Sequence, residues 1–437
     1  MNIAILGYGA QGQSAHEYWR DGNEITICDR NEALKVPDGA RTQLGAAYLS
    51  NLNQFDLIVR SPGVHPEEIV KANSPTVLKK VTTVTNEFFQ VCPTKNIIGV
   101  TGTKGKGTTS TLIAKILEAD GRRVHLGGNI GTPPLELLKN DIKADDWVVL
   151  ELANFQLIDL KYSSHIAVCL MISPEHLDWH ADSEAYYEAK TQLFRYQTAA
   201  DIAIYYADNE ISKQIADSSS AEKIPYMTPP GAAVNGDKIM IDDQIICAAS
   251  ELKLLGKHNW QNVCAAVTAI WQVTQNIAAI RSVLTTFSGL EHRLELVREL
   301  DGTRYYDDSF GTTPETAIVA LQAFAEPKVI ILGGSDKGAD YTELARTVAK
   351  SNVREALLIG EQAERIKEAL MQVSFTNTMP GGTTMTEIVT TAREQAQSGD
   401  VILLSPACAS FDMFKNYKDR GEQFKIAVQA LAKSSEV

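Results

Sequence analysis

The sequence predicts an α/β fold in which parallel strands alternate with helices. Short runs of β-branched and aliphatic residues recur along the 437-residue chain, and each leads through glycine or small polar residues into a helix-like segment. This alternation is typical of doubly wound sheets, whose ligands bind at the carboxyl ends of the strands. The strand-like runs are, in chain order, "NIAILGYG", "NEITICD", "DLIVRSPG", "NIIGVTGT", "WVVLELAN", "HIAVCLMIS", "KVIILGGS", "EALLIGE" and "DVILLSPA".

Length and local composition predict three domains. A chain of 437 residues is too long for a single hydrophobic core. The stretch "FQVCPTKN" precedes a new strand and loop, and "FSGLEHRLELV" separates a helix-like segment from "TRYYDDSFGTTPE". We therefore expect domain boundaries that give residues 1–84, 85–289 and 290–437.

Charge, hydropathy and cysteine usage exclude several classes of protein. A net charge of −13 disfavours nucleic acid as a partner, because phosphate backbones are negative and no basic patch is visible. No apolar run approaches the ~18 residues that a membrane span needs, and the N-terminus lacks the basic region of a signal peptide. The six cysteines are scattered, as in proteins of a reducing compartment. We expect a cytoplasmic monomer without a membrane or nucleic-acid partner.

The first candidate ligand loop is "GYGAQG", Gly7 to Gly12, which satisfies the G-x-G-x-x-G pattern after a strand. A diphosphate on the N-terminus of the next helix would leave Asp29 or Arg30 to reach a sugar or base. NAD, another diphosphate-linked nucleotide and no ligand at all are each compatible with this loop alone.

The second candidate loop lies in "IIGVTGTKGKGTTSTL". A strict Walker A motif fails, because Val100 stands at the first glycine and Gly107 follows the lysine. Gly102, Gly105 and Lys106 nevertheless supply backbone N–H groups, a helix N-terminus and a positive charge, which favour phosphate binding. The alternative is a tight glycine turn with a surface lysine.

The third candidate loop is "LLSPACASFDMFKNYKDRGEQF", residues 403–424. A strand that ends in Ser-Pro and is followed by small and polar residues predicts either a substrate pocket or an ordinary strand-to-helix loop. Two histidines in "HLDWH" have i, i+4 spacing but lack the glutamate of a zinc-protease helix, so we expect no zinc site.

Taken together, the motifs resemble the Mur ligase family. The similarity extends in order through "GYGAQGQS", "SPGV", "TGTKGKGTT", "GGNIGTP", "LELANFQL", "PEHLDWH", "YYEAKTQLF", "GKHNWQN", "LEHRLE", "DDS", "LGGSDKGADY" and "LLSPACASFDMFKNYKDRGEQF". The resemblance implies a Rossmann-like UDP-binding domain, a central P-loop ATPase domain and a Rossmann-like C-terminal domain that receives an amino acid. In such proteins the first glycine loop holds a uridine diphosphate rather than NAD.

The implied activity is an ATP-dependent amide ligation in peptidoglycan precursor synthesis. It adds D-glutamate to UDP-N-acetylmuramoyl-L-alanine through an acyl phosphate, with ATP as the phosphate donor and Mg²⁺, two ions by the resemblance, as cofactor. An acyl phosphate makes chemical sense because a carboxylate alone has no good leaving group. The two anions that must meet require nearby cations.

The resemblance assigns residues to each part of this reaction. The catalytic positions are Lys106, His176 and Lys190. The ATP positions are Gly102, Thr103, Lys104, Gly105, Lys106, Gly107, Thr108, Asn259, Asn262, Arg293 and Asp308. The UDP-substrate positions are Gly9, Ala10, Gln11, Asp29, Arg30, Ser61, Gly63, Asn129 and His176. The amino-acid positions are Thr312, Lys337, Ser410 and Tyr417, and the Mg²⁺ positions are Thr108, Glu151, His176 and, if carbamylated, Lys190.

The sequence also departs from the family pattern. "GKGTT" resembles folylpolyglutamate synthetases, Ala153 and Asn154 replace two serines, and Phe310 stands where a lysine contacts the ATP phosphate. The segment "DDSFGTTPE" resembles a subgroup that adds L-glutamate, so the enantiomer stays open, with D-glutamate favoured. These departures are also compatible with a folylpolyglutamate synthetase or with a nucleotide-binding protein that has lost catalysis.

Overall fold

The computed structural model describes residues 1–129, 131–176, 179–254, 256, 258–336 and 338–432. The chain forms two compact units, one of Met1–Leu252 with Lys257–Phe287 and one of Lys253–Gly256 with Ser288–Val437. The first unit contains two large sheets. The division of the chain into three domains stays a prediction. Within the described residues no helix is both long and apolar enough to cross a membrane.

The first sheet of the first unit is parallel and five-stranded. Its strands are β1 Asn2–Leu6, β2 Glu24–Asp29, β3 Arg41–Leu44, β4 Leu57–Arg60 and β5 Val81–Thr82, and its helices are α1 Ala10–Trp19, α2 Pro66–Ala72 and α3 Val84–Val91. The strand order is β3-β2-β1-β4-β5, so β1 lies at the centre. The loops after β1 and β4 therefore emerge side by side at one edge of the sheet.

The second sheet is parallel and six-stranded. Its strands are β6 Ile97–Thr101, β7 Val124–Gly128, β8 Trp147–Glu151, β9 Ile166–Cys169, β10 Ile202–Tyr206 and β11 Glu222–Tyr226. The strand order is β11-β10-β9-β6-β8-β7, which places β6 between β8 and β9. Its helices are α4 Lys106–Ala119, α5 Pro134–Leu137, α6 Asn154–Leu157, α7 Ser183–Arg195 and α8 Glu210–Asp217.

A small antiparallel sheet and two helices complete the first unit. They are β12 Ala233–Asn235, β13 Lys238–Ile241, β14 Gln244–Ala248, α9 His258–Trp271 and α10 Ile277–Leu284. Short 3-10 helices occur at Gly45–Ala47, Leu52–Gln54, Pro75–Lys80, Leu138–Asn140 and Ala249–Glu251.

The two large sheets of the first unit share a hydrophobic core. One cluster of buried side chains includes Ile3 and Val59 of the first sheet, Phe88 of α3, and Val148 and Leu150 of the second sheet. Continuous apolar strands such as "WVVLE" are fully buried, as expected for parallel strands covered by helices on both faces. Burial of this shared core holds the two sheets together.

The second unit has one six-stranded sheet. Its elements are β15 Glu295–Leu300, β16 Thr303–Asp307, α11 Pro314–Gln322, β17 Lys328–Gly333, α12 Thr342–Lys350, β18 Val353–Ile359, α13 Ala363–Gln372, β19 Thr378–Pro380, α14 Met385–Gln395, β20 Val401–Leu404 and α15 Tyr417–Gln429. The strand order is β15-β16-β20-β17-β18-β19, and only the β15–β16 pair among these is antiparallel. Hydrophobic side chains fill both faces of the sheet.

The predicted α/β class and the strand-like runs are confirmed. Each predicted run contains a strand of a parallel sheet. The segment that carries Lys190 forms a helix, α7. The hairpin strands β12 to β14 were not predicted, because they are short and mix polar with apolar residues. The antiparallel pair β15–β16 was not predicted, because this stretch was interpreted as a domain boundary followed by family motifs.

Candidate active site

A cavity of about 400 Å³ opens at the carboxyl ends of β1 and β4. It brings together all the residues predicted for the UDP end except His176. The lining residues are Gly7, Tyr8, Gly9, Ala10, Gln11, Asp29, Arg30, Tyr48, Ser61, Pro62, Gly63, Val64, Gly128, Asn129, Gly131 and Pro133. Tyr48 was not predicted, because it belongs to none of the motifs. Four further non-glycine lining residues lie inside the quoted motifs but were not assigned to the ligand: Tyr8, Pro62, Val64 and Pro133. The clustering is observed, whereas the ligand of the cavity stays a prediction.

Backbone bonds shape the glycine loop of this cavity. Gly7 has a φ of +81°, and its carbonyl oxygen accepts a hydrogen bond from the Ser61 hydroxyl at 2.7 Å. The carboxylate of Asp29 accepts the Tyr8 N–H at 2.8 Å and the Asn31 N–H at 2.9 Å. Asp29 was predicted to reach a sugar or base. In the structure its two carboxylate oxygens accept backbone N–H groups and hold the loop in place, and the contact with a sugar or base stays a prediction.

The second candidate loop, residues 102–105, lies between β6 and α4 and is called the phosphate loop below. The Lys106 ammonium donates to the Gly102 carbonyl at 3.0 Å and to the Thr103 carbonyl at 2.9 Å. Gly105 has a φ of +88° at the start of α4, and no side chain caps this helix N-terminus. The first N–H groups of α4 and the Lys106 charge therefore suit an anionic ligand.

Asn262, one of the two predicted ATP-binding asparagines, lies against this loop. A Cβ atom on Gly105 would lie 2.1 Å from Oδ1 of Asn262, so the close approach requires glycine. Asn262 in turn donates to the Asn259 side-chain oxygen at 2.8 Å. Helix α9 thus brings both asparagines to the phosphate loop.

Thr103 connects the phosphate loop to the segment that leads to His176. Its hydroxyl donates to the Ser173 carbonyl and accepts the Ser173 N–H, both at 3.0 Å. The Tyr186 hydroxyl lies 3.0 Å from the same oxygen and acts as a donor, because the Thr103 proton is already used. His176 has a φ of +58°, and its ring packs 4.8 Å from that of Phe155.

Lys190 is buried beside Lys106. Its ammonium donates to the Gly102 carbonyl at 3.1 Å and lies 4.5 Å from the centre of the Tyr186 ring. Burial, and then the charge of Lys106, lower the pKa of Lys190 from 10.5 to about 7. A large fraction of this amine is therefore neutral and nucleophilic near neutral pH.

Glu151 ends β8 and is buried. One carboxylate oxygen accepts the Asn129 side-chain N–H at 2.9 Å, and the Asn129 backbone N–H donates to the Glu151 carbonyl at 2.8 Å. Because Glu151 pairs with Val100 in the β6–β8 register, it lies at the same sheet edge as the phosphate loop. Asn129 thus joins the cavity wall to a candidate metal ligand.

In the second unit, three loops meet at the carboxyl ends of β16, β17 and β20. The Ala407 N–H donates to the Gly311 carbonyl at 3.1 Å, the Gly333 N–H to Pro406 at 2.8 Å, and the Ser335 N–H to Ala409 at 2.9 Å. These contacts bring the loop with Thr312 beside the loop with Ser410. Lys337, the remaining predicted amino-acid ligand of this edge, lies outside the described residues.

Arg293, Phe310 and Tyr417 form an aromatic cluster with one cation. The Arg293 guanidinium lies 3.7 Å from the centre of the Phe310 ring, and the Tyr417 ring meets Phe310 edge-on at 5.2 Å. A guanidinium over an aromatic face is attracted by the ring electrons. The phenylalanine that stands where a lysine was expected thus contacts a cation through its ring.

Asp308 is buried next to this cluster. It accepts the Ser405 hydroxyl at 2.6 Å and the Leu294 N–H at 3.2 Å. Burial raises the pKa of Asp308 from 3.8 to about 7, although these bonds and Arg293 oppose the shift. A protonated carboxyl near neutral pH is able to donate a hydrogen bond as well as accept one.

Two buried arginines were missed by sequence reasoning. Arg420 donates to the Ser309 hydroxyl and carbonyl, both at 2.9 Å, and to the Cys408 carbonyl at 3.2 Å. Burial lowers its pKa to about 10. It joins the loop after β16 to the loop that carries Ser410.

Arg60 similarly supports the cavity. Its one signal in the sequence is that a charged residue ends an otherwise apolar strand.

The first prediction concerns the Gly105 contact. Gly105→Ala strains a positive φ and pushes Asn262 away, so we expect the free energy of unfolding to fall by about 1–3 kcal/mol and ATP binding to weaken. Gly121→Ala is the matched control, since Gly121 has a φ of +82° and open space around it. Chemical denaturation and calorimetric titration measure both effects. Equal losses in the two variants would show that the Asn262 contact is unimportant.

The second prediction concerns pH. Between about pH 4 and 7 Asp308 ionises in the unfolded chain but keeps its proton in the folded one, so rising pH stabilises the unfolded chain. Relative to Asp308→Asn, the wild-type free energy of unfolding should therefore fall by about 4 kcal/mol across this window. Denaturation at several pH values gives the two slopes. Parallel slopes would contradict a raised pKa.

Comparison with known proteins identifies the family. Residues 100–270 match the Mur ligase middle domain, and residues 292–408 match the Mur ligase, glutamate ligase domain. Proteins called UDP-N-acetylmuramoylalanine--D-glutamate ligase from Clostridium tetani and Symbiobacterium thermophilum are 34% and 38% identical. The matches cover 98% of this chain and 96% and 98% of those proteins.

Solved structures of low sequence identity share the fold. MurC from Thermotoga maritima aligns with a TM-score of 0.60 at 15% identity over 98% of this chain and 99% of its own. MurF from Thermotoga maritima in complex with ADP has the same TM-score at 18% identity, covering 98% and 95% of the two chains. FolC from E. coli aligns over 79% of this chain and 92% of its own at 17% identity, with a TM-score of 0.59. On the domain matches and the full-length relatives, the chain belongs to the Mur ligase family.

Proposed function

We propose that this protein is an ATP-dependent amide ligase that adds D-glutamate to UDP-N-acetylmuramoyl-L-alanine, a step of peptidoglycan precursor synthesis. The observation that carries the proposal is the cavity, which gathers the predicted UDP-binding residues in one place. The relatives whose names include this reaction match nearly the whole chain. A nucleotide-sugar acceptor therefore fits both the geometry and the family.

The reaction consists of two transfers. The alanine carboxylate oxygen attacks the γ-phosphorus of ATP, ADP leaves, and an acyl phosphate forms. The glutamate amine then attacks the acyl carbon, inorganic phosphate leaves, and the amine loses a proton to give the amide. Lys106 and the N-terminus of α4 would stabilise the charge that spreads over the transferred phosphoryl group.

The donor set at this edge fits Mg²⁺. The Glu151 carboxylate and the Thr108 hydroxyl are hard oxygen ligands, the type that Mg²⁺ prefers, and His176 lies on the adjoining segment. When bound, Mg²⁺ would neutralise phosphate charge during transfer. Lys190 as an ammonium would repel a cation, whereas a carbamate on its buried, neutral amine would be an anionic ligand.

The remaining predicted residues are assigned to the nucleotide and the amino acid. Asn259, Asn262 and Gly105 are assigned to ATP, as are Arg293 and Asp308. Thr312, Ser410 and Tyr417 would bind the glutamate. A basic partner for the glutamate carboxylate is predicted at Lys337, which lies outside the described residues.

Three competing functions are less well supported. The named relatives carry D-glutamate in their names, so L-glutamate is not favoured. A folylpolyglutamate synthetase leaves the cavity at the glycine loop without a role. A protein without catalysis would have no need for two amines, one of them buried, at the phosphate loop.

The third prediction tests the activity itself. Purified protein with ATP, Mg²⁺ and UDP-N-acetylmuramoyl-L-alanine should release phosphate when D-glutamate is added, and mass spectrometry should find the amide. L-glutamate should give little product. Lys106→Met should lower kcat by about 10²–10³-fold, because it removes a charge that stabilises the transition state. Absence of amide with either enantiomer would refute the proposed function.

The fourth prediction concerns Lys190. Carbamylation requires dissolved CO₂, so activity should fall in CO₂-depleted buffer and recover when bicarbonate is restored. Carbon NMR with isotopically labelled bicarbonate should show one carbamate that is missing in Lys190→Arg, whose kcat should drop about 10- to 100-fold. Full activity without CO₂, together with an absent carbamate signal, would show that Lys190 acts as an ordinary amine.

A further inference from the structure

The cavity has two walls that belong to different sheets. Residues 7–11 and 61–64 line it from the first sheet, and the loop after β7 lines it from the second. The second wall consists of Gly128, Asn129, Gly131 and Pro133. The distance between the walls therefore depends on how the two sheets are held against each other.

Arg60 bonds across this junction. It is the last residue of β4, and its side chain is 0% exposed. Its guanidinium makes two hydrogen bonds of 2.7 Å to the two carboxylate oxygens of Asp159 and one of 3.0 Å to the Phe155 carbonyl. Phe155 belongs to α6, which starts soon after β8 ends, so Arg60 ties the first sheet to the second.

The same guanidinium also holds the first wall. It donates to the carbonyl oxygens of Val64 at 2.8 Å and Ser61 at 3.2 Å, which lie in the turn that lines the cavity. The Ser61 hydroxyl donates a hydrogen bond to the Gly7 carbonyl, so the position of this turn also restrains the glycine loop. Arg60 itself is not among the lining residues. Its influence on a ligand must act through the residues that it orients.

We propose that Arg60 is a positioning residue whose ion pair with Asp159 fixes the separation of the two cavity walls and thereby the affinity for a nucleoside diphosphate. The geometry requires arginine, because a planar fork of donors is needed to reach a carboxylate and four carbonyls at once. A lysine has one charged nitrogen and cannot span these acceptors. The identity of the ligand rests on the proposed function.

Asp159 is held from a second direction, which makes it a firm anchor. The Asn86 side chain on α3 donates to the Asp159 carbonyl at 3.0 Å and accepts the Lys161 N–H at 2.8 Å. These two hydrogen bonds hold the segment around Asp159 independently of Arg60. If the ion pair is lost, the turn at residues 61–64 should move, whereas the segment around Asp159 should stay in place.

The fifth prediction tests this role with calorimetric titration of the full-length protein. Arg60→Lys should weaken binding of UDP by about 10- to 100-fold, since small misplacements of binding groups have effects of this size. Binding of ATP should stay unchanged, because the acceptors of the Arg60 guanidinium all lie outside the phosphate loop. The split between the two ligands separates positioning from general destabilisation.

Three further proteins complete the experiment. Asp159→Asn should weaken UDP binding in the same direction, and the Arg60→Lys, Asp159→Asn double variant should bind UDP no worse than Arg60→Lys alone. Arg354→Lys is the matched control, because Arg354 makes a similar two-pronged pair with Asp400 in the second unit. Its UDP affinity should equal that of the wild type.

Each outcome has a distinct meaning. Unchanged UDP affinity in Arg60→Lys, or equal losses for UDP and ATP, would overturn the positioning role. A wild-type protein that binds no UDP would instead refute the assigned ligand, and hence the proposed function, before the variants are compared. Additive losses in the double variant would show that Arg60 acts through the carbonyls rather than through Asp159.

Discussion

The ammonium groups of Lys106 and Lys190 both donate to the carbonyl oxygen of Gly102, and this shared contact sets the chemistry of the phosphate loop. Two positive charges so close together in a buried place repel each other, which is one reason for the low pKa of Lys190. An anion relieves that repulsion. The loop is thus arranged so that a phosphate, or a negative group on Lys190, stabilises it more than water does.

The second unit also has a group with a strongly shifted pKa at its own sheet edge. Asp308 is a buried carboxyl whose pKa is raised by burial, and Arg293 is the cation beside it. Ionisable groups with strongly shifted pKa values are concentrated at functional sites, although structural ion pairs also shift them. In both units the group with the shifted pKa lies near the carboxyl end of a parallel strand, where the fold places ligands. The Lys190 ammonium, carried by α7, contacts Gly102 after β6, and Asp308 follows β16.

Much of the fold was predictable because its strands carry a local signal. Runs such as "WVVLE" and "KVIILG" are apolar throughout, and their burial on both faces follows directly from that pattern. The glycine loops were equally predictable, since a positive φ at Gly7 or Gly105 requires glycine whatever the distant contacts are. The Asp29 carboxylate was placed correctly at the cavity, but its backbone partners depend on the exact path of the loop.

The residues that sequence reasoning missed depend on contacts between distant segments. Arg60 and Asp159 are far apart in the chain, and neither position belongs to a recognisable motif. Arg420 lies in a helix whose sequence looks solvent-facing, yet loops of the second unit use its donors. Tyr48 lines the cavity and follows a short 3-10 helix that no sequence motif predicts. Such roles become visible only when the packing is known.

Two departures from the family pattern, Asn154 and Phe310, have well-defined partners in the structure, which argues for a preserved site. Asn154 replaces a serine, and its side-chain amide lies 2.8 Å from Nε2 of His180 in a buried contact. Phe310 replaces a lysine, and it holds the Arg293 guanidinium against its ring. Substitutions that accumulate after loss of function have no reason to gain matched partners, because an unsatisfied or unpacked group would then be tolerated. The pairing of these two changes with neighbours therefore favours a working ligase over a protein that has lost catalysis.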